Sequence, residues 1–309
     1  MRKRLLAAAI AALCATTSAH AASWTLEPYA DVPGSLYTQL WSINDRGVVV
    51  GTTNDGGFVD DHGHRTAYAF ANPGGLHNYL AGISNSGVLI GGDGSTAFID
   101  DHGAITPVSV AGAAQTFVRG ISANGRYVVG TWLGNTGIHG YILDRQTSQF
   151  TFVEGRNGGP VAMSDVNDNG VAVGVAAGDD ASVVVDLHAG TTTWLDAADG
   201  FTGLRLVTIN DEGELGGRAT NGNRQYTGVI GNPADGFTAF EPQQDGYAFV
   251  DHLNDVGQAI GQFEFYAGGG YNFVATQVSA VPEPTALPLF ASGLLAAGLL
   301  ARRRRDSAR

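Results

Sequence analysis

Short β-branched runs bounded by polar turns recur along the chain. The clearest is Ile43-Asn44-Asp45-Arg46-Gly47-Val48-Val49-Val50-Gly51. It holds an aliphatic residue, a polar turn ending in glycine, three valines and a closing glycine. Asn, Asp and Gly tolerate the positive φ that a tight hairpin demands. The short valine run reads as a strand buried on both faces. The closing glycine predicts a bulge or a close backbone approach. The phrase returns at Ile83 to Gly91, Ile121 to Gly130, Val166 to Gly174, Ile209 to Gly217 and Leu253 to Gly261. Its first glycines (Gly47, Gly87, Gly125, Gly170, Gly213 and Gly257) are spaced by 40, 38, 45, 43 and 44 residues. The third copy carries one additional residue.

Each unit divides into four strands, a to d. In the third these are Gln115 to Ser122, Arg126 to Trp132, Ile138 to Asp144 and Gln149 to Glu154. In the second they are Leu80 to Ser84, Val88 to Gly92, Thr96 to Asp100 and Ile105 to Val110. Four short strands in about 42 residues match a β-propeller blade. The sixth unit has strands at Tyr247 to Asp251, Gln258 to Phe263 and Asn272 to Val278, but no fourth. At the other end, Ser23-Trp24-Thr25-Leu26-Glu27-Pro28 belongs to no unit. It resembles the fourth strand of unit five, Thr238-Ala239-Phe240-Glu241-Pro242. An orphan strand at the start completing a short blade at the end is how a propeller closes its ring and hides its sheet edges. A linear solenoid needs no such complement. The sequence therefore predicts an all-β, six-bladed β-propeller over residues 22–280, closed by its N-terminal strand.

The two ends carry other signals. Arg2, Lys3 and Arg4 precede an apolar run from Leu5 to Ala15, and Ala19-His20-Ala21 has the small-x-small form of a cleavage site. This predicts a signal peptide over residues 1–21, with the exported chain beginning at Ala22. The apolar run is too short for a membrane span. The single cysteine, Cys14, lies inside it, after Leu13 rather than the small residue of a lipoprotein signal. The exported body thus has no disulfide or thiol chemistry. At the C-terminus, Val281-Pro282-Glu283-Pro284 leads into 17 uncharged residues, Thr285 to Ala301, and then Arg302, Arg303, Arg304 and Arg305. The pattern predicts a single transmembrane helix with its arginine flank on the cytoplasmic side.

This tail resembles the PEP-CTERM sorting signal of Gram-negative bacteria, over residues 281–309. The resemblance implies that an exosortase recognises Pro282, Glu283 and Pro284 and removes the tail. It implies transient anchoring in the inner membrane, then the cell surface or an extracellular matrix, with exopolysaccharide and biofilm. The repeats resemble the HAF family of extracellular repeat proteins, on Asn44-Asp45-Arg46-Gly47 with Gly51 and on Tyr68-Ala69-Phe70 or Thr96-Ala97-Phe98. That resemblance implies an exported repeat protein and assigns no chemistry.

Removing both ends changes the charge. Residues 22–280 hold nine basic residues, all Arg, against 27 Asp and Glu, a net charge near −18. Such a body repels phosphate backbones, which argues against nucleic-acid binding.

Candidate chemistry is sparse. Asp165-Val166-Asn167-Asp168-Asn169-Gly170 matches the first half of a calcium loop, but the position that needs a bidentate acid is Ala176. The stretch coincides with the hairpin of the repeat, and the turn explains it better. Asp60-Asp61-His62-Gly63 recurs as Asp100-Asp101-His102-Gly103 and loosely as Asp186-Leu187-His188-Ala189-Gly190. These invite a metal reading, yet each falls at the c–d turn of a different blade, where a turn suffices. No metal site and no cofactor is predicted. Nucleophile-elbow, zinc-protease, P-loop and dinucleotide motifs are absent.

The b–c connections vary while the a–b turns do not. They run over Thr52 to Gly57, Leu133 to Gly137, Ala176 to Asp180, Ala219 to Gln225 and Glu264 to Gly270. Trp132, Phe265, Tyr266, Arg218 and Arg224 lie in or beside them and are the candidate ligand-face residues. The function expected is that of a non-catalytic binding or structural module at the cell surface. The alternatives are a polysaccharide-active enzyme, glycosidase or lyase, with carboxylates at the channel mouth, and a calcium-dependent adhesin.

Overall fold

A computed structural model describes residues 23–72, 78–94, 96–176, 178, 181–198, 200–220, 226–240 and 246–278. The predicted signal peptide with Cys14, the Pro282-Glu283-Pro284 motif, the apolar run after it, Arg302 to Arg305 and Arg224 all lie outside these residues. No helix among the described residues is long and apolar enough to cross a membrane. The propeller body spans Trp24–Gln277, and of the other unit, made of the two chain ends, only Ser23 and Val278 are described.

The chain opens with β1 (Ser23–Tyr29). Blade 1 is β2 (Thr38–Ile43), β3 (Val48–Thr53), β4 (Gly56–Asp61) and β5 (His64–Ala67). Blade 2 is β6 (Tyr79–Ile83), β7 (Leu89–Asp93), β8 (Thr96–Asp101) and β9 (Ala104–Val108). Blade 3 is β10 (Gln115–Ile121), β11 (Tyr127–Gly134), β12 (Gly137–Asp144) and β13 (Gln149–Val153). Blade 4 is β14 (Val161–Val166), β15 (Val171–Ala176), β16 (Ser182–Asp186) and β17 (Thr191–Leu195). Blade 5 is β18 (Gly203–Ile209), β19 (Leu215–Thr220), β20 (Tyr226–Asn232) and β21 (Gly236–Phe240). Blade 6 is β22 (Gly246–Leu253), β23 (Gln258–Phe265) and β24 (Gly270–Val278). Its fourth strand is β1, which pairs with β24. The six sheets form a six-bladed propeller closed by the N-terminal strand, as the orphan Trp24 segment predicts.

β1 is held by three blades. Thr25 Oγ1 donates to Thr276 O within blade 6. Trp24 packs on Phe240 of blade 5, with ring centroids 5.5 Å apart. Toward blade 1, Tyr29 O–H donates to Asp60 Oδ2 at 2.5 Å. Arg65 donates to Asp60 and to the carbonyls of Ala30 and Asp31, and its guanidinium covers the Tyr29 ring. The same latch repeats one blade on, where Tyr68 O–H donates to Asp100 Oδ2 at 2.7 Å. So the first Asp of each Asp-Asp-His-Gly copy joins neighbouring blades. The rest is a tight turn, with His62 and His102 at positive φ and the Asp carboxylates capping Gly63 and Gly103 N–H.

A layer of apolar side chains fills each gap between blades. Val48, Val50, Phe70, Leu80 and Phe98 lie between blades 1 and 2; Val129, Val161, Met163 and Val183 lie between 3 and 4. Leu40, Val49, Phe58 and Ile260 close the seam between 6 and 1. Each such residue, fully buried, stabilises the fold by about 1.5–3 kcal/mol.

The closing glycine has a defined cause. In every blade the innermost strand carries a bulge, at Trp41, Ala81, Arg119, Ser164, Val207 and Asp251. The bulge swings a carbonyl over the second strand, where the closing glycine sits. A Cβ on Gly130 would lie 1.9 Å from Phe117 O, and one on Gly51 2.3 Å from Gln39 O. The sequence expectation offered a bulge or a close approach. Both occur, with the bulge on one strand and the glycine opposite it. The additional residue of the third unit, Arg126, enlarges its a–b turn: Ser122 N–H reaches Tyr127 O, where Asn44 N–H reaches Val48 O in blade 1.

The b–c connections are shorter than the sequence suggests, because the strands run further. Only Asn54 and Asp55 separate β3 from β4, only Asn135 and Thr136 separate β11 from β12, and Tyr266 to Gly269 separate β23 from β24. The longer connections on that face join the fourth strand of one blade to the next, such as Ala30 to Tyr37.

Candidate functional site

The two faces of the ring are built for different tasks. On the a–b turn face the first Asn of three turns works twice. Asn44 Oδ1 accepts from Val48 N–H within its own hairpin, and Asn44 Nδ2 donates to Ser84 O of the next blade. Asn167 does the same with Val171 and Asn210 O, and Asn254 with Gln258 and Asn44 O. The following residue closes a circle. Asp45 N–H donates to Asn85 Oδ1, Asn85 N–H to Ala123 O and Asn124 N–H to Asp168 Oδ1. Asp168 N–H then donates to Asp211 Oδ1, Asp211 N–H to Asp255 Oδ1 and Asp255 N–H back to Asp45 Oδ1. All six blades join head to tail around the axis.

Just inside this circle lies a polar layer. Asp165 is buried, and its carboxylate accepts from Val166 N–H, Thr208 O–H and Ile209 N–H at 2.8, 2.7 and 3.1 Å. Thr208 Oγ1 in turn accepts from Leu253 N–H. His252 Nε2 stands 3.6 Å from Asp165 Oδ2 and 3.4 Å from Ser42 Oγ. Ile43 N–H points at Nδ1, which places the ring proton of the neutral imidazole on Nε2. A Ser–His–Asp set therefore sits on the axis, but serine and aspartate face the same ring nitrogen, and Ser42 is only 2% exposed. A catalytic relay uses both nitrogens and an accessible hydroxyl, so this set is structural. The calcium-like stretch is accounted for in the same way, since the side chains of Asp165, Asn167 and Asp168 each accept a backbone N–H within the ring. Among the described residues no group of three His, Cys, Asp or Glu could hold a metal ion.

The circle places four carboxylates together. Burial raises Asp255 to about 6; the nearby Asp211, Asp45 and Asp168 add to this, and the bond from Asp211 N–H opposes it. Burial likewise raises Asp168. An acid whose folded value lies above its unfolded one holds its proton more tightly when folded. Its cost to folding is nil in acid, grows from about pH 4 to about pH 6, and then stays constant. Asn85 shows that an amide fits this position. Asp255→Asn keeps the acceptor for Asp211 N–H and removes the charge. It is expected to raise Tm at pH 8 and to leave it unchanged at pH 3.5, as thermal melts at the two pH values would show.

The opposite face carries the loops, and here the sequence candidates separate. Trp132 stacks on His139 at 4.5 Å and meets Phe152 edge-on. It packs on its own blade with its Nε1 buried and without a hydrogen-bond partner. Phe265 turns inward onto Tyr271. Arg218 and Tyr266, by contrast, are the two ends of one row. The Arg218 guanidinium lies 4.7 Å from the Tyr226 ring and 5.3 Å from Phe249. Tyr226 meets Tyr247 at 5.6 Å, and Tyr247 meets Tyr266 edge-on at 4.7 Å. Tyr266 is 49% exposed.

Two carboxylates flank this row, and the sequence pattern marked neither. Asp251, the bulge residue of β22, is pushed up to about 7, chiefly by lost hydration and then by Glu264, with Arg218 acting against the shift. Glu264 is exposed and lies opposite Tyr247 in the ladder. It also lines an open groove of about 560 Å³ between blades 6 and 1, with Asp31, Leu36, Tyr37, Gln262 and Tyr271. The signal that could have exposed the row is tyrosine at the first or second position of β20 and β22, where a strand enters the loop face.

No protein-family model matches the chain, and no curated protein matches it. Solved structures do. A streptogramin B lyase structure is 10% identical, with 82% of this chain and 98% of that chain covered and a TM-score of 0.50. A prolyl endopeptidase structure is 14% identical and has a TM-score of 0.51, covering 81% of this chain but only 44% of that one. At these identities the likeness is one of fold. The propeller scaffold serves neighbours of unlike function, so its activity has to be read from its own surface.

Proposed function

We propose that the protein is an exported repeat protein of the cell surface or extracellular matrix, acting as a non-catalytic binding module for polysaccharide. The observation that carries the binding part is the row Arg218–Tyr226–Tyr247–Tyr266 on the loop face. Tyrosine rings give flat apolar area with a polar edge, which suits the faces and hydroxyls of sugar rings. The ring of hydrogen bonds on the other face keeps that platform rigid. The export part rests on the sequence: the signal at residues 1–21, the Pro282-Glu283-Pro284 motif with the apolar run and arginines after it, and an exosortase as processing partner.

Tyr247 stands at the centre of the row. Tyr247→Ala is expected to weaken polysaccharide binding at least tenfold, which corresponds to about 1.4 kcal/mol, with Tm close to the parent value. Affinity electrophoresis against a polysaccharide panel measures this. Unchanged retardation by every polymer that binds the parent would sink the assignment of the face. The catalytic alternative draws on Asp251 and Glu264. Release of reducing ends by the parent, lost in Asp251→Asn, would replace binding by hydrolysis.

A further inference from the structure

The groove between blades 6 and 1 meets the tyrosine row at Glu264, which lines the groove and lies opposite Tyr247 in the ladder. Its rim carries two large exposed side chains, Leu36 at 89% and Tyr37 at 51%. Its polar lining is one-sided. Asp31 and Glu264 are exposed carboxylates with no hydrogen bond or ion pair to a described residue. Gln262 and Asn272 add side-chain amides, and Asn272 Nδ2 is engaged with Thr38 O. Among the described residues no Lys or Arg lines the groove. The nearest described arginines have other occupations: Arg65 holds Asp60 and two carbonyls, and Arg218 stacks on Tyr226 and Phe249. The whole body carries a charge near −18. Uncompensated carboxylates beside an aromatic platform favour a ligand that is positively charged and ring-shaped, and repel one rich in uronate or phosphate.

We infer that the groove and the tyrosine row together form a cleft for a polysaccharide of amino sugars with free amino groups, in which Asp31 and Glu264 meet the ammonium groups while Tyr37, Tyr247 and Tyr266 carry the rings. This rests on the polysaccharide-binding reading above and narrows it to one class. The groove and the row adjoin along β23, so one extended oligomer can cross both. A charge-assisted bond from ammonium to carboxylate is also stronger than a neutral one, which gives the cleft a means of separating a free amine from its acetylated form.

The test uses the full-length protein in detergent with four probes: a glucosamine hexamer, an N-acetylglucosamine hexamer, oligogalacturonate and oligolysine. The glucosamine hexamer is expected to bind at least tenfold more tightly than its acetylated counterpart. Oligogalacturonate is expected not to bind, and oligolysine to bind weakly, lacking rings to stack. The double variant Asp31→Asn with Glu264→Gln should erase the preference for the free amine and keep residual binding to the acetylated hexamer. Tyr37→Ala should weaken both hexamers. Equal affinity for the two hexamers, or a preference that survives the double variant, would overturn the class assignment and leave polysaccharide binding standing. Oligolysine binding as tightly as glucosamine would show a mere charge patch. Failure of every saccharide would bring down the binding reading as well.

Discussion

Deleting Ser23–Tyr29 is expected to abolish cooperative folding of the propeller. The segment is seven residues long, yet it is the outermost strand of blade 6 and touches blades 5 and 1. Its removal uncovers Phe240 and Phe273, both buried in the intact ring. It leaves the outer edge of β24 without its partner, an open edge of the kind that recruits other chains. Asp60 and Arg65 lose Tyr29, and Ala30 and Asp31, whose carbonyls Arg65 holds, lose the strand that positions them. Burial of a tryptophan-sized side chain and each lost hydrogen bond contribute about 2–3 and about 1 kcal/mol respectively. Together these reach the net stability of a typical domain, about 5–15 kcal/mol. The deleted chain should aggregate on size-exclusion chromatography and show no sharp thermal transition, while Trp24→Phe should melt within a few degrees of the parent. A deletion variant that melts like the full chain would mean that blade 6 is stable with three strands.

Asp165→Ala is expected to be the most damaging change at the axis. Asp165 collects bonds from Val166, Thr208 and Ile209 in a buried site. Alanine strands two buried backbone N–H groups and unfastens Thr208, which itself holds Leu253 N–H of the next blade. Leaving buried donors without acceptors costs about 1–3 kcal/mol each, so a loss of about 3–5 kcal/mol is expected. The carboxyl is held above its ordinary value by burial, eased by His252 and the three bonds. Asp165→Asn keeps one acceptor oxygen for Thr208 and Ile209 but turns an N–H toward Val166 N–H, so it should cost less than alanine. Urea unfolding at constant slope would rank the two variants. A loss below about 1 kcal/mol for Asp165→Ala would show that water takes over its bonds.

The repeat was legible because its signals are local. A hairpin needs Asn, Asp and Gly within four residues, and a buried strand needs its valines in a row. Six copies, and the strand around Trp24 that completes the sixth, followed by counting. The circle of hydrogen bonds was not legible. Asp45 and Asn85 are 40 residues apart, and in the chain each looks like nothing more than a turn former. Asp165 hid for a similar reason, because Asp-x-Asn-x-Asn-Gly reads as a loop for an ion while its oxygens serve Val166 N–H of its own blade and Thr208 and Ile209 of blade 5. Trp132 and Phe265 looked like ligand contacts because strand ends were placed a residue or two short. β11 runs on past Trp132 and β23 reaches Phe265 itself, and both rings pack on their own blades. Asp251 was invisible as a bulge residue, since the mark a bulge leaves in the sequence is the glycine on the facing strand, Gly261.

At the axis each blade donates an N–H to the next one and accepts an N–H from the one before, always in the same rotational sense. Nothing in that exchange records which blade came first in the chain. A gene rearranged so that translation begins at blade 2 or blade 4 would encode the same sequence of neighbours, and the ring could not distinguish the orders. Only the outer rim, where Tyr29 and Trp24 tie the N-terminal strand in place, remembers where the chain starts.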